Sequence, residues 1–82
     1  MKPYSNQDRV FLFPGYDMRI RLNGEERQTG AATIADLLRE LDVERGRVAV
    51  EVNLEIVRKA EYDTRPVSDG DSIEIVNFVG GG

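Results

Sequence analysis

One stretch of this chain has the apolar spacing of a helix, and patterns typical of β-strands lie on both sides of it. The apolar residues that define the stretch occupy positions i, i+3, i+4 and i+7 of one helical face: Ile34, Leu37, Leu38 and Leu41. Thr33, with Asp36 three residues later, resembles a capping box that has Asp in place of the usual Glu or Gln. We expect the helix to run to about Leu41 and to stop near Gly46. A lone amphipathic helix buries its apolar face against a sheet, so these apolar residues are assigned to the core.

Alternating apolar and polar residues predict strands before and after the helix. The first strand runs into Asn23-Gly24, the strongest short hairpin signal. The returning strand is weakly apolar, which is typical of a sheet edge, and later turns are indicated by Asn53-Leu54 and by the cluster at 68–71. The predicted strands occupy residues 18–22, 25–29, 47–53, 55–58 and 73–76.

This order of elements predicts an α+β fold of the β-grasp, or ubiquitin-like, type, with a mixed sheet of four to five strands packed on one main helix. We expect the last strand to pair beside the first. One face of the sheet is then buried under the helix: Ile20, Leu22, Val48, Val50, Val52, Ile73 and Ile75. The opposite, open face carries the alternate residues: Arg19, Arg21, Arg47, Ala49, Glu51, Glu74, Val76 and Phe78.

The chain of 82 residues is expected to contain one small domain, which we place at residues 18–79. Residues 1–17 precede the first strand pattern and are interpreted as an N-terminal extension. This extension is either a leader foreign to the domain or an arm that packs through Phe11, Phe13 and Tyr16. Residues 80–82 are all glycine and form the expected flexible tail.

The composition argues against several classes of function. The sequence has no cysteine and no histidine, which removes the thiol nucleophile, the commonest general base and the commonest metal ligand. We find no cluster of Asp and Glu at metal-loop spacing, and we expect neither an independent enzyme nor a tightly bound cofactor. The formal charge of −4 argues against nucleic acid as the main partner. No apolar run is long enough to span a membrane, and a cytoplasmic location is the default.

Val76 and Phe78 place an apolar spot on the otherwise charged open face, close to the glycine end. One interpretation is that residues 1–17 or a loop cover this spot. We favour a second interpretation, in which the spot is a docking surface for a partner protein with a polar and charged rim. A reactive terminus needs a nearby contact that orients it, and these two residues are in the position to supply one.

The candidate reactive group is the α-carboxylate of Gly82. Glycines allow a partner to enclose the backbone closely, and residues 79–82 in extended form reach about 13 Å at about 3.3 Å per residue. A carboxylate resists nucleophilic attack and must first be activated, usually as an acyl-adenylate made from ATP. The acceptor is then either a sulfur donor, which gives a thiocarboxylate, or a lysine, which gives an isopeptide. The inert alternative is that the glycines are a flexible scar or a truncated linker.

Residues 18–82 resemble the ThiS sulfur-carrier proteins of thiamine biosynthesis. The matching segments are MRIRLNG at 18–24, TIADLL at 33–38, VEVNLEIV at 50–57, DGDSIEIV at 69–76 and NFVGGG at 77–82. The last of these is the most similar. The extension before Met18 departs from the pattern of the family.

The resemblance implies a carrier that other enzymes charge and discharge. A ThiF-type adenylating enzyme would activate the Gly82 carboxylate with ATP, and sulfur from a cysteine-desulfurase relay would replace AMP and leave a thiocarboxylate. Thiazole synthase, ThiG, would then take up that sulfur. In this scheme Gly82 bears the sulfur, Gly81 allows close approach and Gly80 adds reach, while Phe78 and Val79 lie at the mouth of the partner's site.

Three other functions are alternatives to this one. A MoaD-type carrier would deliver its sulfur to molybdopterin synthase. A ubiquitin-like modifier would be joined through Gly82 to lysines of other proteins. A pure interaction domain would have inert glycines. The ending at 78–82 is more similar to ThiS than to MoaD, so the thiamine pathway is our expectation.

Overall fold

The computed structural model describes residues 16–78, and predictions that fall on residues 1–15 and 79–82 lie outside this part. The described part contains five strands, one α-helix and two 3-10 turns, at Arg45–Arg47 and Lys59–Glu61. The strands are β1 (Met18–Leu22), β2 (Glu25–Thr29), β3 (Val48–Val52), β4 (Glu55–Val57) and β5 (Ser72–Asn77), and the helix is α1 (Ile34–Glu40). Within residues 16–78, no helix has the length and apolar character needed to cross a membrane.

The strands form one mixed sheet in the order β2-β1-β5-β3-β4. The central strand β5 pairs parallel to β1 and antiparallel to β3, while β1–β2 and β3–β4 are antiparallel hairpins on its two sides. The prediction that the last strand pairs beside the first is therefore confirmed, and so is the position of β2 at an edge. One helix packed on a mixed sheet with this strand order is the β-grasp fold.

Both hairpins close through two-residue turns in which both residues have positive φ. Asn23 and Gly24 have φ angles of 50° and 85°, and Asn53 and Leu54 have φ angles of 51° and 72°. Such turns match the twist of the flanking strands, and Asn and Gly adopt them at the least cost. Leu54 is the exception, because the left-handed conformation brings the Cβ of an ordinary residue close to the following carbonyl oxygen.

The two turn asparagines also fasten their hairpins to the segment around β5. The Ile75 N–H donates to Asn23 Oδ1 at 2.8 Å, and Asn23 Nδ2 donates to the Ile75 carbonyl at 3.3 Å. On the other side, the Ser72 N–H donates to Asn53 Oδ1 at 2.9 Å, and Asn53 Nδ2 donates to Asp71 Oδ1 at 3.0 Å. The central strand is thus fixed from both neighbours, which determines where its C-terminal end lies.

The start of α1 follows the predicted capping box with one difference. Thr33 is the N-cap residue, and its Oγ1 accepts a hydrogen bond from the Asp36 N–H at 3.2 Å. Asp36 Oδ2 accepts from the N–H of Ala32 at 3.3 Å, not from that of Thr33 as in a standard box. The Asp side chain is one methylene shorter than that of Glu, and here it closes the reciprocal bond one residue outside the N-cap.

The helix ends at Glu40 with Leu41 as its C-cap, which confirms the prediction that it runs to about Leu41. The prediction that the stop lies near Gly46 is wrong. The chain reverses at Asp42, which has a φ angle of 59°. The Val43 N–H donates to the Leu38 carbonyl at 2.9 Å, and the Asp42 N–H donates to the Arg39 carbonyl at 3.0 Å. This pair of bonds is the Schellman motif, which usually has Gly at the left-handed position. The sequence prediction looked for that glycine and passed over an aspartate, which also tolerates this conformation.

The core lies between α1 and the sheet, and most of its predicted sheet residues are buried: Ile20, Val48, Val50, Val52 and Ile73. Leu22 and Ile75 point to the same side, but they are only half-buried. Both lie at one end of the sheet, where a groove of about 320 Å³ lined also by Leu41 and Val43 opens to solvent. The assignment of faces is therefore confirmed, and burial decreases towards this groove.

Tyr62 belongs to the core although no apolar alternation surrounds it. Its side chain is 1% exposed, and its Oη donates to the Val48 carbonyl at 3.4 Å. Its own carbonyl accepts from the Ala35 N–H at 2.8 Å, in the first turn of α1. Val57 and Val67, which flank this connection, are also buried and were not assigned to the core from the sequence.

The first described strand begins at Met18, the residue at which we placed the start of the domain. Tyr16 precedes it, is 39% exposed and lines a surface groove with Ala31 and Arg39. Phe11 and Phe13, the other residues of the proposed arm, lie outside the described residues. The two interpretations of residues 1–17 therefore stay predictions.

Candidate functional site

The open face of the sheet carries an apolar patch at the C-terminal end of β5. Val76 is 56% exposed and lies directly across from Ala49 in the β3–β5 register. Phe78 is 51% exposed, and its N–H continues the register by donating to the Arg47 carbonyl at 2.7 Å. Ile56 of β4 is 76% exposed and lies diagonally from Ala49. We call Ala49, Ile56, Val76 and Phe78 the open-face patch.

The alternation of β5 predicted that Val76 and Phe78 lie on the open face, and the structure places both there. Both side chains remain more than half exposed, so no loop of residues 16–78 covers them. Val79, Gly80, Gly81 and Gly82 follow directly in the sequence but lie outside the described residues. Their roles, and the role of the patch in binding a partner, stay predictions.

Ile56 was missed as a member of the patch, although the sequence contains a signal for it. Ile56 and Val57 are adjacent in the short strand β4, and successive strand residues point to opposite faces. Val57 is buried, so Ile56 must face outward. Two apolar neighbours in a strand with one buried face therefore indicate an exposed apolar side chain.

The open-face patch has negatively charged residues on one side and positively charged residues on the other. Glu51 and Glu74 face each other directly across β3 and β5, and within residues 16–78 neither side chain forms a hydrogen bond or an ion pair. Like charges in this position destabilise a sheet by up to about 1 kcal/mol. On the side of Phe78, Arg47 lies across from the ring and Arg58 continues the extended backbone of β4. A partner that matches this border presents cations to the glutamates and anions to the arginines.

Lys59 is a further contact of Phe78 that the sequence prediction missed. Its Nζ lies 5.8 Å from the centroid of the Phe78 ring and donates to the Val48 carbonyl at 3.0 Å. Lys59 lies in the polar connection between β4 and Tyr62, where no hydrophobic period marks it. Lys59 and Phe78 are far apart in the sequence and meet only in the folded chain, so no local sequence pattern identifies their contact.

An ion pair braces the turn that carries Lys59. Arg45 Nη1 and Nη2 donate to Asp63 Oδ1 and Oδ2 at 2.9 and 3.1 Å, and Nη2 also donates to the Lys59 carbonyl at 3.3 Å. The guanidinium lies 5.5 Å from the centroid of the Tyr62 ring. The hydrogen bonds from Arg45 hold the pKa of the Asp63 carboxyl below its usual value of 3.8, while burial raises the pKa of Tyr62.

The centre of this arrangement is apolar and its border is charged. The open-face patch consists of apolar side chains, which bind a partner by removing water from both surfaces. Within residues 16–78, no three acidic side chains lie close enough together to hold a metal ion. The side chains of the open-face patch thus offer an exposed apolar surface, and the docking of a partner on it stays a prediction.

Comparison with known proteins gives matches over most of the chain. The model of a family described as the ThiS family matches residues 20–82. The sulfur carrier protein ThiS of Bacillus subtilis is 45% identical over 67 residues, which are 77% of this chain and 98% of that protein. The thiazole synthase of Paramagnetospirillum magneticum is 53% identical over 66 residues, which are 79% of this chain. The chain spans only 20% of the length of that second protein.

The fold also matches a solved structure. The crystal structure of the thiamine biosynthesis protein ThiS from Geobacter metallireducens superimposes with a TM-score of 0.69 and is 35% identical. The match covers 79% of this chain and 100% of that one. The β-grasp arrangement described above is thus shared with a protein of similar size and sequence.

Proposed function

This chain belongs to the ThiS family, and on that premise we propose that it is a sulfur carrier of thiamine biosynthesis. The family match carries the proposal, since it runs to Gly82 and so includes the glycine end on which a carrier depends. The open-face patch supports it, because Phe78 directly precedes residues 79–82 and a docked patch would bring them to a partner's site.

In the proposed reaction, a carboxylate oxygen of Gly82 attacks the α-phosphorus of ATP on a ThiF-type enzyme, and pyrophosphate leaves. The resulting acyl-adenylate is attacked at its carbonyl carbon by a sulfur from a cysteine-desulfurase relay. AMP leaves with the former carboxylate oxygen, and the outer sulfur of the relay's persulfide is joined to the terminus as an acyl disulfide. A thiol then attacks the relay's own sulfur, is oxidised to a disulfide with it, and releases the terminus as a thiocarboxylate. The carrier is a co-substrate in these steps, and the enzymes that act on it supply the catalysis and the site for ATP.

Binding of the open-face patch to a partner would offset the conformational entropy that the glycines lose when the partner holds them in one conformation. A glycine chain loses more backbone freedom than any other when it is held in one conformation. That loss must be balanced by contacts elsewhere, and Val76 and Phe78 are exposed apolar side chains next to the tail. Gly81 and Gly80 then allow a partner's channel to close around the backbone, and Val79 lies at its mouth.

The proposed acceptor of the sulfur is thiazole synthase, ThiG. Two proteins named thiazole synthase, from Paramagnetospirillum magneticum and Magnetococcus marinus, contain a segment similar to this chain. Joining two binding partners in one chain raises their effective concentration. The presence of a carrier-like segment within a synthase chain therefore supports the proposal that carrier and synthase bind each other. We place the reaction in the cytoplasm, where the ATP for the first step is available.

Intact-mass measurement tests the proposal. The chain is incubated with a ThiF-type enzyme, ATP and a sulfide source, and we expect the mass to rise by the difference between sulfur and oxygen, located at Gly82. A variant with one alanine added after Gly82 serves as the control, because its reactive carboxylate is displaced by about 3.3 Å and no longer borne by glycine. An unchanged mass under conditions that charge the Bacillus subtilis carrier would overturn the proposal.

A second experiment identifies the protein that accepts the sulfur. The charged chain is mixed separately with thiazole synthase and with molybdopterin synthase, and loss of the thiocarboxylate is followed by mass. We expect transfer to thiazole synthase. Transfer to molybdopterin synthase alone would show a MoaD-type carrier, and recovery of a Gly82–lysine isopeptide from cells would show a protein modifier.

A further inference from the structure

We propose that Lys59 is a positioning residue that holds Phe78, from which residues 79–82 follow in the sequence, in its place at the end of β5. The proposal rests on the proposed function, in which those residues carry the reactive carboxylate. Lys59 acts through Phe78 and has no part in the chemistry of the terminus.

The position of the Lys59 ammonium follows from the end of β4. Because hydrogen bonds alternate between the two sides of an antiparallel strand, the bond from Phe78 to Arg47 on the β5 side leaves the Val48 carbonyl facing the β4 side. There β4 has already ended at Val57, so no strand backbone meets this carbonyl. Lys59 Nζ donates to it at 3.0 Å, beside the longer bond from Tyr62 Oη at 3.4 Å, and the shorter bond anchors the Lys59 side chain.

The anchored ammonium is also a contact of the Phe78 ring. It lies 5.8 Å from the ring centroid, within the range of a cation–π interaction. The backbone of Phe78 is held separately by its N–H bond to the Arg47 carbonyl at 2.7 Å. Phe78 follows the last residue of β5, Asn77, so it would fray from the sheet readily if only this one bond held it.

The turn that carries Lys59 is itself rigidly supported. Arg45 bonds to the Lys59 carbonyl and to Asp63, and Tyr62 two residues further along is buried in the core. The support thus runs from the core through a braced turn to the ammonium, and from there to Phe78. A fixed Phe78 lowers the ordering cost that docking must offset, which is a gain in affinity through pre-organisation.

The test compares Lys59→Met, Lys59→Arg and a charge-matched control, Arg39→Met. Methionine is unbranched like lysine, is one atom shorter and loses the charge, and arginine keeps a cation that can bind both the carbonyl and the ring. Arg39 is an exposed residue of α1 whose ion pair is with Asp36. The first readout is hydrogen exchange of the Phe78 amide by NMR, which needs no partner protein. The second is KM and kcat for adenylation of the chain by a ThiF-type enzyme.

We expect Lys59→Met to speed exchange of the Phe78 amide and to raise KM by roughly three- to tenfold, with kcat nearly unchanged. Lys59→Arg should restore both values, and Arg39→Met should change neither. In a Phe78→Leu background, which removes the ring, Lys59→Met should have no further effect on KM. This background also separates loss of the contact from any general loss of structure at Val48.

Three results would overturn the assignment. These are unchanged Phe78 exchange in Lys59→Met, a fall in kcat at constant KM, or an equal effect of Lys59→Met with and without the Phe78 ring. If the wild-type chain is never adenylated, the proposed function fails instead. The exchange measurement still decides in that case whether Lys59 holds Phe78.

Discussion

Single exposed apolar residues of this chain differ in what surrounds them. Leu54 is 89% exposed at the tip of a hairpin and is not part of the open-face patch. Val76 is 56% exposed but belongs to the open-face patch, where it lies directly across from Ala49. Scattered exposed side chains are ordinary, whereas contiguous ones mark an interaction surface. Replacing each of these two side chains therefore tests whether docking depends on the open-face patch or on any exposed apolar residue.

We expect Val76→Ala to weaken docking on the adenylating enzyme by about five- to tenfold, since central interface side chains contribute more than about 1 kcal/mol. The change in folding stability should stay below about 1 kcal/mol, because the side chain is half exposed in the free protein. Leu54→Ala is the matched control and should leave docking unchanged. Affinity is measured by titration calorimetry, and equal losses for both variants would contradict a localised patch.

The two hairpins of the sheet use the same turn with different chemistry. Asn23 and Asn53 occupy the first position of each turn and bond sideways to the segment around β5, so the amides act as staples between neighbouring strands. The second position is Gly24 in one turn and Leu54 in the other, with φ angles of 85° and 72°. The β3–β4 hairpin therefore forms although one of its turn residues is strained, and its stability comes from packing of the strands and from the Asn53 bonds.

Replacing the strained residue should stabilise this element. We expect Leu54→Gly to raise the free energy of unfolding by about 0.5–1 kcal/mol, because relief of the left-handed strain exceeds the entropy that glycine adds to the unfolded chain. The side chain is 89% exposed, so its removal costs little packing. Urea denaturation measures the change, with Leu54→Ala as the variant that removes the same side chain and keeps the strain. A gain of the same size in Leu54→Ala would assign the effect to the side chain and not to the turn.

At the scale of the whole molecule, the sequence predicted those features that depend on local patterns. Alternation assigned Val50 and Val76 to opposite faces of the sheet, and Asn23-Gly24 identified a hairpin from its dipeptide alone. Tyr62 was missed because its burial depends on the path of the connection between β4 and β5, which has no hydrophobic period. Lys59 was missed for the same reason, since its contact with Phe78 joins separate parts of the chain.

The connection that carries Tyr62 closes one end of the molecule. The Ile34 and Ala35 N–H groups at the start of α1 donate to the Arg65 and Tyr62 carbonyls at 3.0 and 2.8 Å, which joins the connection to the helix. Arg45 joins it from the other side by its paired bonds to Asp63, at 2.9 and 3.1 Å. Helix, sheet and connection are thus linked here. We therefore expect the ion pair to stabilise the whole domain against unfolding, and not only the local turn.

The pH dependence of stability tests this contribution. The pKa of Asp63 is lowered below its usual 3.8 by the hydrogen bonds from Arg45, so the unfolded chain takes up this proton first as the pH falls. The stabilisation from the pair is therefore fully present above about pH 3.8 and is lost as the pH falls through the lowered pKa. Thermal unfolding of the wild type and of Asp63→Asn should show a constant gap in Tm at neutral and mildly acidic pH, and a shrinking gap below 3.8.

Arg45→Met supplies the control for this measurement, because it removes the cause of the pKa shift and leaves the carboxyl in place. In the Arg45→Met background, the difference in Tm caused by Asp63→Asn should no longer depend on pH. A double-mutant cycle gives this result when two groups stabilise the protein through their contact with each other. The surface position of both side chains makes the interaction sensitive to salt, so the gap should also narrow as ionic strength rises. A gap that persists unchanged well below pH 3.8, or that is the same with and without Arg45, would show that Asp63 stabilises the domain through some other contact.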